Sequence, residues 1–306
     1  MKKTSKQNFF ATLLKLMDIK TLVAGTVPVI FGTIYSLYRF DRFHWVDLLI
    51  TLLGIVLLQS STNMINDVYD HKRGSDGEAK TDEKALASGE ISVYNVKKII
   101  GFFMLIDIGI ALFYSITLHG GIFVVAVIAV VIMYSYSAGK RPISYTPFGE
   151  LIAGSTMGFG IMTTVIFIQS GNVNSETVLV ALPTSLFIGT ILLTNNLSDH
   201  QEDQQVGRKT LPILLGTQKS QLLWNSNCIS LLVFTGVGVA LGYFPLISFI
   251  LTIVLFPYKQ ILVFNTTEKV VQNKGILMGI IAQVGIRFHV AIILGLLLDW
   301  CIKKLM

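Results

Sequence analysis

Long apolar stretches alternate with short polar segments along the chain, and this pattern predicts a series of membrane-spanning helices. Nine stretches approach the ~20 residues that an α-helix needs to cross ~30 Å of hydrocarbon. Their predicted bounds are 21–38, 46–66, 99–118, 120–137, 149–169, 177–196, 221–242, 244–264 and 283–302. Pro257 lies inside the eighth stretch, where it predicts a kink. We therefore expect an all-α polytopic membrane protein, with nine transmembrane helices in a single domain, 1–306.

The composition agrees with a lipid environment. Hydrophobic residues make up 52% of the chain, charged residues only 14%, and the mean hydropathy is +0.66. A soluble domain carries about 25% charged residues, so a soluble globular enzyme and a disordered protein are both excluded. The formal net charge of +6 does not indicate nucleic-acid binding, because basic and aromatic residues are not interleaved.

The Lys and Arg residues predict the orientation of the chain. With the N-terminus in the cytoplasm, 20 of the 24 fall on the cytoplasmic side. Cytoplasmic segments of membrane proteins carry such an excess of positive charge. We therefore expect a multi-pass protein of the cell membrane with a cytoplasmic N-terminus, and an odd number of spans places the C-terminus outside.

Ten of the 18 acidic residues fall in two loops that are predicted to be cytoplasmic, one after span 2 and one after span 6. The two loops begin alike, since 66–71 reads NDVYDH and 195–200 reads NNLSDH. This similarity predicts a weak internal repeat that relates spans 1–4 to spans 5–8.

The spacing within these segments places polar oxygens on one helix face, because positions i and i+4 of a helix are neighbours. The first set is Asn66 and Asp70, with Asn63 and Asp67 close to the same face, and the second is Asn195, Asp199 and Asp203. If the two sets face each other across a bundle, their carboxylates repel unless a cation lies between them. Carboxylate and amide oxygens suit Mg²⁺, which also binds substrate phosphates.

Basic and aromatic side chains surround these acids in the sequence. The basic ones are Lys72 and Arg73, Arg208 and Lys209, Lys140 and Arg141, and Lys20. Acids that hold Mg²⁺, with cations around them, describe a diphosphate site. Near the end of span 4 are Tyr134, Tyr136 and Tyr145, which are either interfacial anchors or aromatic partners for a developing cation.

These segments resemble the UbiA superfamily of intramembrane aromatic prenyltransferases, which carries an NDxxD-type motif after the second helix of a nine-helix bundle and a DxxxD motif after the sixth. Here the motifs are 66–70, NDVYD, and 199–203, DHQED. Three stretches are similar to the branch that prenylates 1,4-dihydroxy-2-naphthoate: NDVYDHKRGSD, which ends at Asp76, GKRPISYTPFGE (139–150) and NNLSDHQEDQQVGRKTLPILLG (195–216). The chain departs from the common spacing at Gly74, where the superfamily often has a third acid.

The resemblance implies that an allylic polyprenyl diphosphate and an aromatic acid are the substrates and that Mg²⁺ is the cofactor. The implied metal ligands are Asn66, Asp70, Asp199 and Asp203. The candidate catalytic residues are these four with Lys140 and Tyr134. The candidate substrate-binding residues are Lys20, Asn63, Asp67, Asp76, Arg141, Tyr136, Asn195 and Lys209. In the naphthoate branch, loss of diphosphate and carbon dioxide gives a demethylmenaquinone.

Two alternatives stay open. The acceptor is another aromatic compound, such as 4-hydroxybenzoate, in other branches of the superfamily. An ion-coupled transporter would also carry intramembrane acids, but it would place them near the middle of the bilayer on broken helices.

Overall fold

The computed structural model describes residues 5–74, 84–266 and 273–306, and within these ranges the chain forms helices and turns without a β-strand. An all-α fold is therefore confirmed. The helices are α1 (Ser5–Met17), α2 (Val23–Phe40), α3 (Trp45–Arg73), α4 (Val93–Thr117), α5 (Gly121–Ser137), α6 (Gly149–Ala153), α7 (Ile161–Ser170), α8 (Ser175–Ser198), α9 (His200–Gln205), α10 (Leu211–Leu215), α11 (Thr217–Ala240), α12 (Leu246–Leu255), α13 (Tyr258–Thr266) and α14 (Lys274–Leu305). A π-helical segment, Gly154–Gly160, joins α6 to α7.

In the part of the chain that the structure describes, seven helical segments are long and apolar enough to cross a membrane. They are Ile19–Phe40, Trp45–Arg73, Val93–Thr117, Gly149–Ser170, Ser175–Ser198, Thr217–Ala240 and Lys274–Leu305. The other two predicted spans contain shorter apolar helices, α5 with 17 residues and α12 with 10. At 1.5 Å per residue, α5 is about 26 Å long, slightly less than the hydrocarbon thickness. A multi-pass membrane protein is confirmed, and the number of nine transmembrane helices stays a prediction.

The eighth predicted span is broken at the position of its proline. Helix α12 ends at Leu255, Phe256 is extended with φ −60° and ψ 135°, and α13 begins at Tyr258. Proline lacks the backbone N–H and disfavours a helical conformation of the residue before it. The predicted kink is therefore a complete interruption of the helix.

The chain divides into two units, and the first consists of Met1–Thr26 and Leu49–Pro142. Its core joins α1, α3, α4 and the segment before α4, through the buried residues Leu16, Leu57, Met64, Val68, Ala85, Leu86, Val96 and Phe103. The N-terminal turn is held against α3 by amide groups: Asn63 Nδ2 donates to Met17 O at 2.8 Å, and Gln59 Nε2 donates to Thr21 O at 2.5 Å.

The second unit consists of Val27–Leu48 and Ile143–Met306, and α8 is at its centre. This helix packs against the π-helical segment, α6, α11 and α14. The approach of the π-helical segment is close, since a Cβ atom on Gly158 would lie only 2.4 Å from Ser185 Cα. Small residues allow such backbone contact between membrane helices. Helix α8 starts with a capping box formed by Asn174 and Thr177, and it carries Asn195 in its last turn.

Candidate active site

The first motif, 66–70, lies in the last two turns of α3. Asn66 Nδ2 donates a hydrogen bond to Asp70 Oδ2 at 3.3 Å, which confirms that the two side chains share one face. Ser137 Oγ, at the end of α5, donates to Asn66 Oδ1 at 3.0 Å. The Asp70 side chain is buried. Helix α3 then ends at Arg73, and Gly74 adopts a left-handed conformation with φ 69° that favours glycine over an acid.

Lys84 and Arg73, which belong to the same unit, lie close to the carboxylates of the first motif. Lys84 Nζ lies 3.2 Å from Asp67 Oδ1 and 3.6 Å from Asp70 Oδ2. Arg73 Nη1 lies 4.0 Å from Asp70 Oδ1, while its Nη2 donates to the carbonyl groups of Ser137 and Gly139. Lys84 was not predicted as a site residue, because no local spacing connects it to Asp70, 14 residues earlier.

Tyr134 lies beside the first motif, at one end of a groove of about 360 Å³ between α3, α4 and α5. Its hydroxyl is 2.8 Å from the hydroxyl of Tyr69, and the two rings meet edge to face. The groove is lined by Ile65, Val68, Tyr69, Lys97, Ile100, Met104, Val130, Met133 and Tyr134. Tyr69 was not among the predicted site residues, and Tyr136 is half-buried outside this lining.

The other predicted residues of the first unit differ in their surroundings. Asn63 uses its amide to bind the N-terminal turn, as described above. Lys20, Lys140 and Arg141 are exposed, and among the described residues their side chains make no hydrogen bond or ion pair. Asp76 lies outside the described residues.

The second motif, 195–203, crosses a junction between two helices. Helix α8 ends at Ser198, and α9 begins at His200. The helical hydrogen bonds continue through the junction, because Asp199 N donates to Asn195 O at 3.1 Å and Asp203 N donates to Asp199 O at 2.8 Å. The predicted spacing of four residues is therefore kept across the junction between the two helices.

Asp199 and Asp203 of the second motif are ion-paired within their own unit. Lys274 Nζ, from the first turn of α14, lies 2.5 Å from Asp199 Oδ2. Arg208 Nη1 lies 3.2 Å from Asp203 Oδ1, and Arg208 N also donates to Asp203 O at 3.0 Å. The chain reverses at Gly207 between them. The sequence analysis did not identify Lys274, since 75 residues separate it from Asp199.

The stretch 139–150 meets the end of the stretch 195–216 in the second unit. Lys209 N donates to Tyr145 O at 3.0 Å, and the Arg208 guanidinium lies 4.9 Å from the centre of the Tyr145 ring. The side chain of Lys209 is exposed. Two of the three segments that carry the resemblance to the naphthoate branch therefore contact each other.

Glu150 ends the stretch 139–150 and is buried beside α8. Asn196 Nδ2 donates to Glu150 Oε1 at 2.9 Å. The other carboxyl oxygen, Oε2, is buried and has no hydrogen-bond partner among the described residues. Glu150 was not predicted as a site residue, because its pairing with Asn196 depends on tertiary contacts.

The oxygen donors of both motifs have the chemistry that Mg²⁺ prefers. Within residues 5–74, 84–266 and 273–306, no three His, Cys, Asp or Glu side chains lie close enough together to hold a metal ion by themselves. Magnesium commonly binds through one or two carboxylates and completes its coordination with water and substrate phosphates. The residues present therefore fit an ion that is shared with a phosphate ligand and not a cage made only of protein.

The helices and the two acidic motifs define a class of polytopic membrane proteins, and comparison with known families identifies that class. The model of the UbiA prenyltransferase family matches residues 21–281. The chain belongs to the UbiA prenyltransferase family.

Two curated relatives differ in their aromatic acceptor. The chain is 30% identical to the 1,4-dihydroxy-2-naphthoate octaprenyltransferase of Bacillus subtilis (strain 168) over 278 residues, covering 88% of this chain and 83% of the relative. It is 26% identical to the 4-hydroxybenzoate octaprenyltransferase of Pseudoalteromonas translucida (strain TAC 125) over 255 residues, covering 78% and 80%.

Solved structures share the fold. A structure of digeranylgeranylglyceryl phosphate synthase superimposes with a TM-score of 0.67 at 21% identity, covering 94% of this chain and 98% of that chain. A UbiA homologue from Archaeoglobus fulgidus, bound to GPP and Mg²⁺, superimposes with a TM-score of 0.64 at 16% identity, covering 90% and 99%.

Proposed function

We propose that this protein transfers a polyprenyl group from an allylic diphosphate to 1,4-dihydroxy-2-naphthoate, with loss of diphosphate and carbon dioxide, to give a prenylated naphthalenediol, which is the reduced form of a demethylmenaquinone. The observation that carries the proposal is the contact between the stretches 139–150 and 195–216. Both are similar to the naphthoate branch, in a chain that is 30% identical to a naphthoate prenyltransferase over 88% of its length.

The proposed ligands of Mg²⁺ are Asn66 and Asp70 of the first motif and Asp199 and Asp203 of the second. That both motifs serve one prenyl diphosphate follows from their resemblance to the family pattern. When bound, Mg²⁺ neutralises the diphosphate and makes it a better leaving group. The A. fulgidus homologue was solved with Mg²⁺ and GPP bound, which supports Mg²⁺ and a prenyl diphosphate as the ligands.

The basic side chains are proposed to balance the negative charge of the departing diphosphate. Lys84, Arg208 and Lys274 already contact the motif acids. The exposed cations that are also proposed to contact the diphosphate are Lys20, Lys140, Arg141 and Lys209. Contacts with the substrates are proposed as well for four further polar residues, Asn63, Asp67, Asp76 and Asn195. Side chains that compensate charge as it develops stabilise the transition state.

The tyrosines and the apolar helices are proposed to protect the reactive prenyl group. The ring of Tyr134 is proposed to stabilise a neighbouring cation, as an aromatic face does, whereas the Tyr69 ring already contacts the cations of Lys72 and Arg73. We place Tyr136 in the acceptor pocket with Arg141. As the bond from carbon to the diphosphate breaks, an electron-rich ring carbon of the acceptor attacks the allylic carbon, and exclusion of water prevents hydrolysis.

The test is an acceptor screen with purified protein, one prenyl diphosphate and Mg²⁺, followed by mass analysis of the products. With 1,4-dihydroxy-2-naphthoate we expect carbon dioxide and a prenylated naphthalenediol, and no product when Mg²⁺ is removed by a chelator. The second candidate, 4-hydroxybenzoate prenylation, has the support of the P. translucida relative. Efficient prenylation of 4-hydroxybenzoate without reaction of the naphthoate would replace the first proposal with the second.

The orientation with a cytoplasmic N-terminus is proposed from the distribution of Lys and Arg. In a Cys301→Ser background, a cysteine at exposed position 140 should react with a membrane-impermeant thiol reagent only in inverted vesicles. A cysteine at position 172, in the exposed turn between α7 and α8, is the matched control and should react in intact cells. Labelling of position 140 in intact cells would contradict the orientation.

A further inference from the structure

Glu150 is a buried acid whose hydrogen bonds are incomplete. Its exposed fraction is 7%, Oε1 accepts from Asn196, and Oε2 is buried without a partner in the described part of the chain. Buried polar groups of native proteins are almost always hydrogen-bonded, so an exception calls for an explanation. Ionisable residues inside membrane helices commonly mark substrate paths.

The position of this carboxyl group is set by close packing. A Cβ atom on Gly189 of α8 would lie 3.0 Å from the carbonyl oxygen of Glu150, so the start of α6 is held against α8 by backbone contact. Asn196 is three residues before Asp199, and helical positions three apart are neighbours. Glu150 is therefore held rigidly next to the second motif.

Glu176 is a useful comparison, because it is a second buried acid of the same unit. Its exposed fraction is 6%, it accepts a hydrogen bond from the hydroxyl of Tyr35, and it pairs with Arg39 Nε at 2.6 Å. These partners explain Glu176 as part of the folded structure. Among the described residues, Glu150 has no paired cation, Asn196 is its only side-chain donor, and Oε2 accepts no hydrogen bond.

We propose that Glu150 Oε2 accepts a hydrogen bond from a ring hydroxyl of the aromatic acceptor, so that Glu150 is a specificity-determining residue. This inference rests on the proposed function, which supplies a hydroxylated ring as substrate. Asn196 donates to Oε1, and Oε2 is the carboxyl oxygen that accepts no hydrogen bond from the described residues. A site built to bind a hydroxyl group rejects analogues that lack it, because its own polar atom is then left unpaired.

The experiment compares wild type with Glu150→Gln on three acceptors: 1,4-dihydroxy-2-naphthoate, 1-hydroxy-2-naphthoate and 4-hydroxy-2-naphthoate. Glutamine keeps an oxygen for Asn196 but places an N–H donor at the position of Oε2. We expect kcat/KM for the dihydroxy acid to fall about 10- to 100-fold, with an unchanged KM for the prenyl diphosphate. Wild type should prefer the dihydroxy acid over the monohydroxy analogue that lacks the hydroxyl bound by Glu150. This preference, measured as a ratio of kcat/KM values, should disappear in the variant.

The missing hydroxyl changes the reactivity of the ring equally for wild type and for Glu150→Gln. The ratio of their acceptor preferences therefore measures the contribution of the contact between Glu150 and the hydroxyl. Glu176→Gln is the matched control and should lower thermal stability without changing acceptor preference. An equal loss on all three acceptors, or no change, would overturn the role of Glu150. Absence of prenylation of all three acceptors by wild type would instead refute the proposed function.

A measurement on wild type alone keeps the inference testable if Glu150→Gln does not fold. Each monohydroxy analogue is tested as a competitive inhibitor of the dihydroxy acid. One of them should bind about tenfold more weakly than the other, because it lacks the hydroxyl that Glu150 binds. Equal inhibition by both analogues would contradict the proposal.

Discussion

The two acidic motifs have the same sequence pattern but are supported differently. The first lies on one uninterrupted helix, α3, and its cations Arg73 and Lys84 are 3 and 14 residues from Asp70. The second crosses the junction of α8 and α9, and one of its cations, Lys274, comes from the start of α14. Acids with similar spacing are therefore paired with cations that are near in sequence in the first unit, and partly with a cation that is distant in sequence in the second.

The largest expected effect is the loss of prenyl transfer when a carboxylate is removed from either motif. Asp70→Ala and Asp199→Ala should each lower prenyl transfer by about 100-fold or more, because each removes an anionic group proposed to bind Mg²⁺. Product formation at saturating Mg²⁺ is the measurement. Asp107→Asn is the control, since this half-buried acid lies within α4, and it should cost much less. An equally severe loss in the control would contradict the special role of the motifs.

The next effect concerns the arginines. Arg208 lies 3.2 Å from Asp203 and 4.9 Å from the centre of the Tyr145 ring. Arg73 lies farther from its own partners, at 4.0 Å from Asp70 and 5.5 Å from the centre of the Tyr69 ring, and it also donates to backbone carbonyls. Arg208→Lys should lower prenyl transfer about tenfold, because lysine cannot reproduce the planar contact. Arg73→Lys should have a smaller effect. The reverse order would show that the first motif depends more on its arginine than the second.

A smaller effect is expected for the lysines that neutralise the motifs. Lys84 contacts two carboxylates and its side chain is 24% exposed, while Lys274 contacts one and is 48% exposed. Lys84→Met should lower the free energy of unfolding by about 1 kcal/mol, and Lys274→Met by less, because solvent screens the exposed pair more. Thermal unfolding in detergent gives the comparison, and equal shifts would contradict it.

The smallest expected effect is on the way in which the free energy of unfolding depends on pH. The Lys15 ammonium, followed by the Thr12 hydroxyl, holds the pKa of Glu90 below its ordinary value in the first unit. In the second unit, Lys304 and then Trp300 lower the pKa of Asp41. A lowered pKa means that the stabilisation is present at neutral pH and is lost as pH falls through the folded-state value.

Lys15→Gln and Lys304→Gln should therefore each weaken the dependence of unfolding on pH below about pH 4, where carboxylates become protonated. Neither variant should change stability at pH 3 as much as it does at pH 7. Unfolding curves at the two pH values provide the measurement, and a larger effect at pH 3 would contradict the direction of these pKa shifts.

Much of the fold was predicted from the sequence because the signals involved are local. Apolar stretches long enough to cross a bilayer gave every predicted span a helix, and the position of Pro257 gave the interruption between α12 and α13. The spacing of Asn66 and Asp70 likewise gave their contact, since residues four apart on a helix meet without help from the rest of the chain.

Tertiary structure alone decided the partners of these residues. Lys274 reaches Asp199 and Asn196 reaches Glu150 across 75 and 46 positions, and no periodicity connects such pairs. The junction of two helices at Asp199 could not be predicted from the spacing of the second motif either. Helical hydrogen bonds continue on both sides of Asp199, so the spacing of four residues is the same with or without the junction. The sequence determines the length of each apolar helix and which of its residues share a face, because both depend on residues that are close together in the chain. The pairing of buried charges depends on which helices pack together, and that is settled only when the whole chain folds.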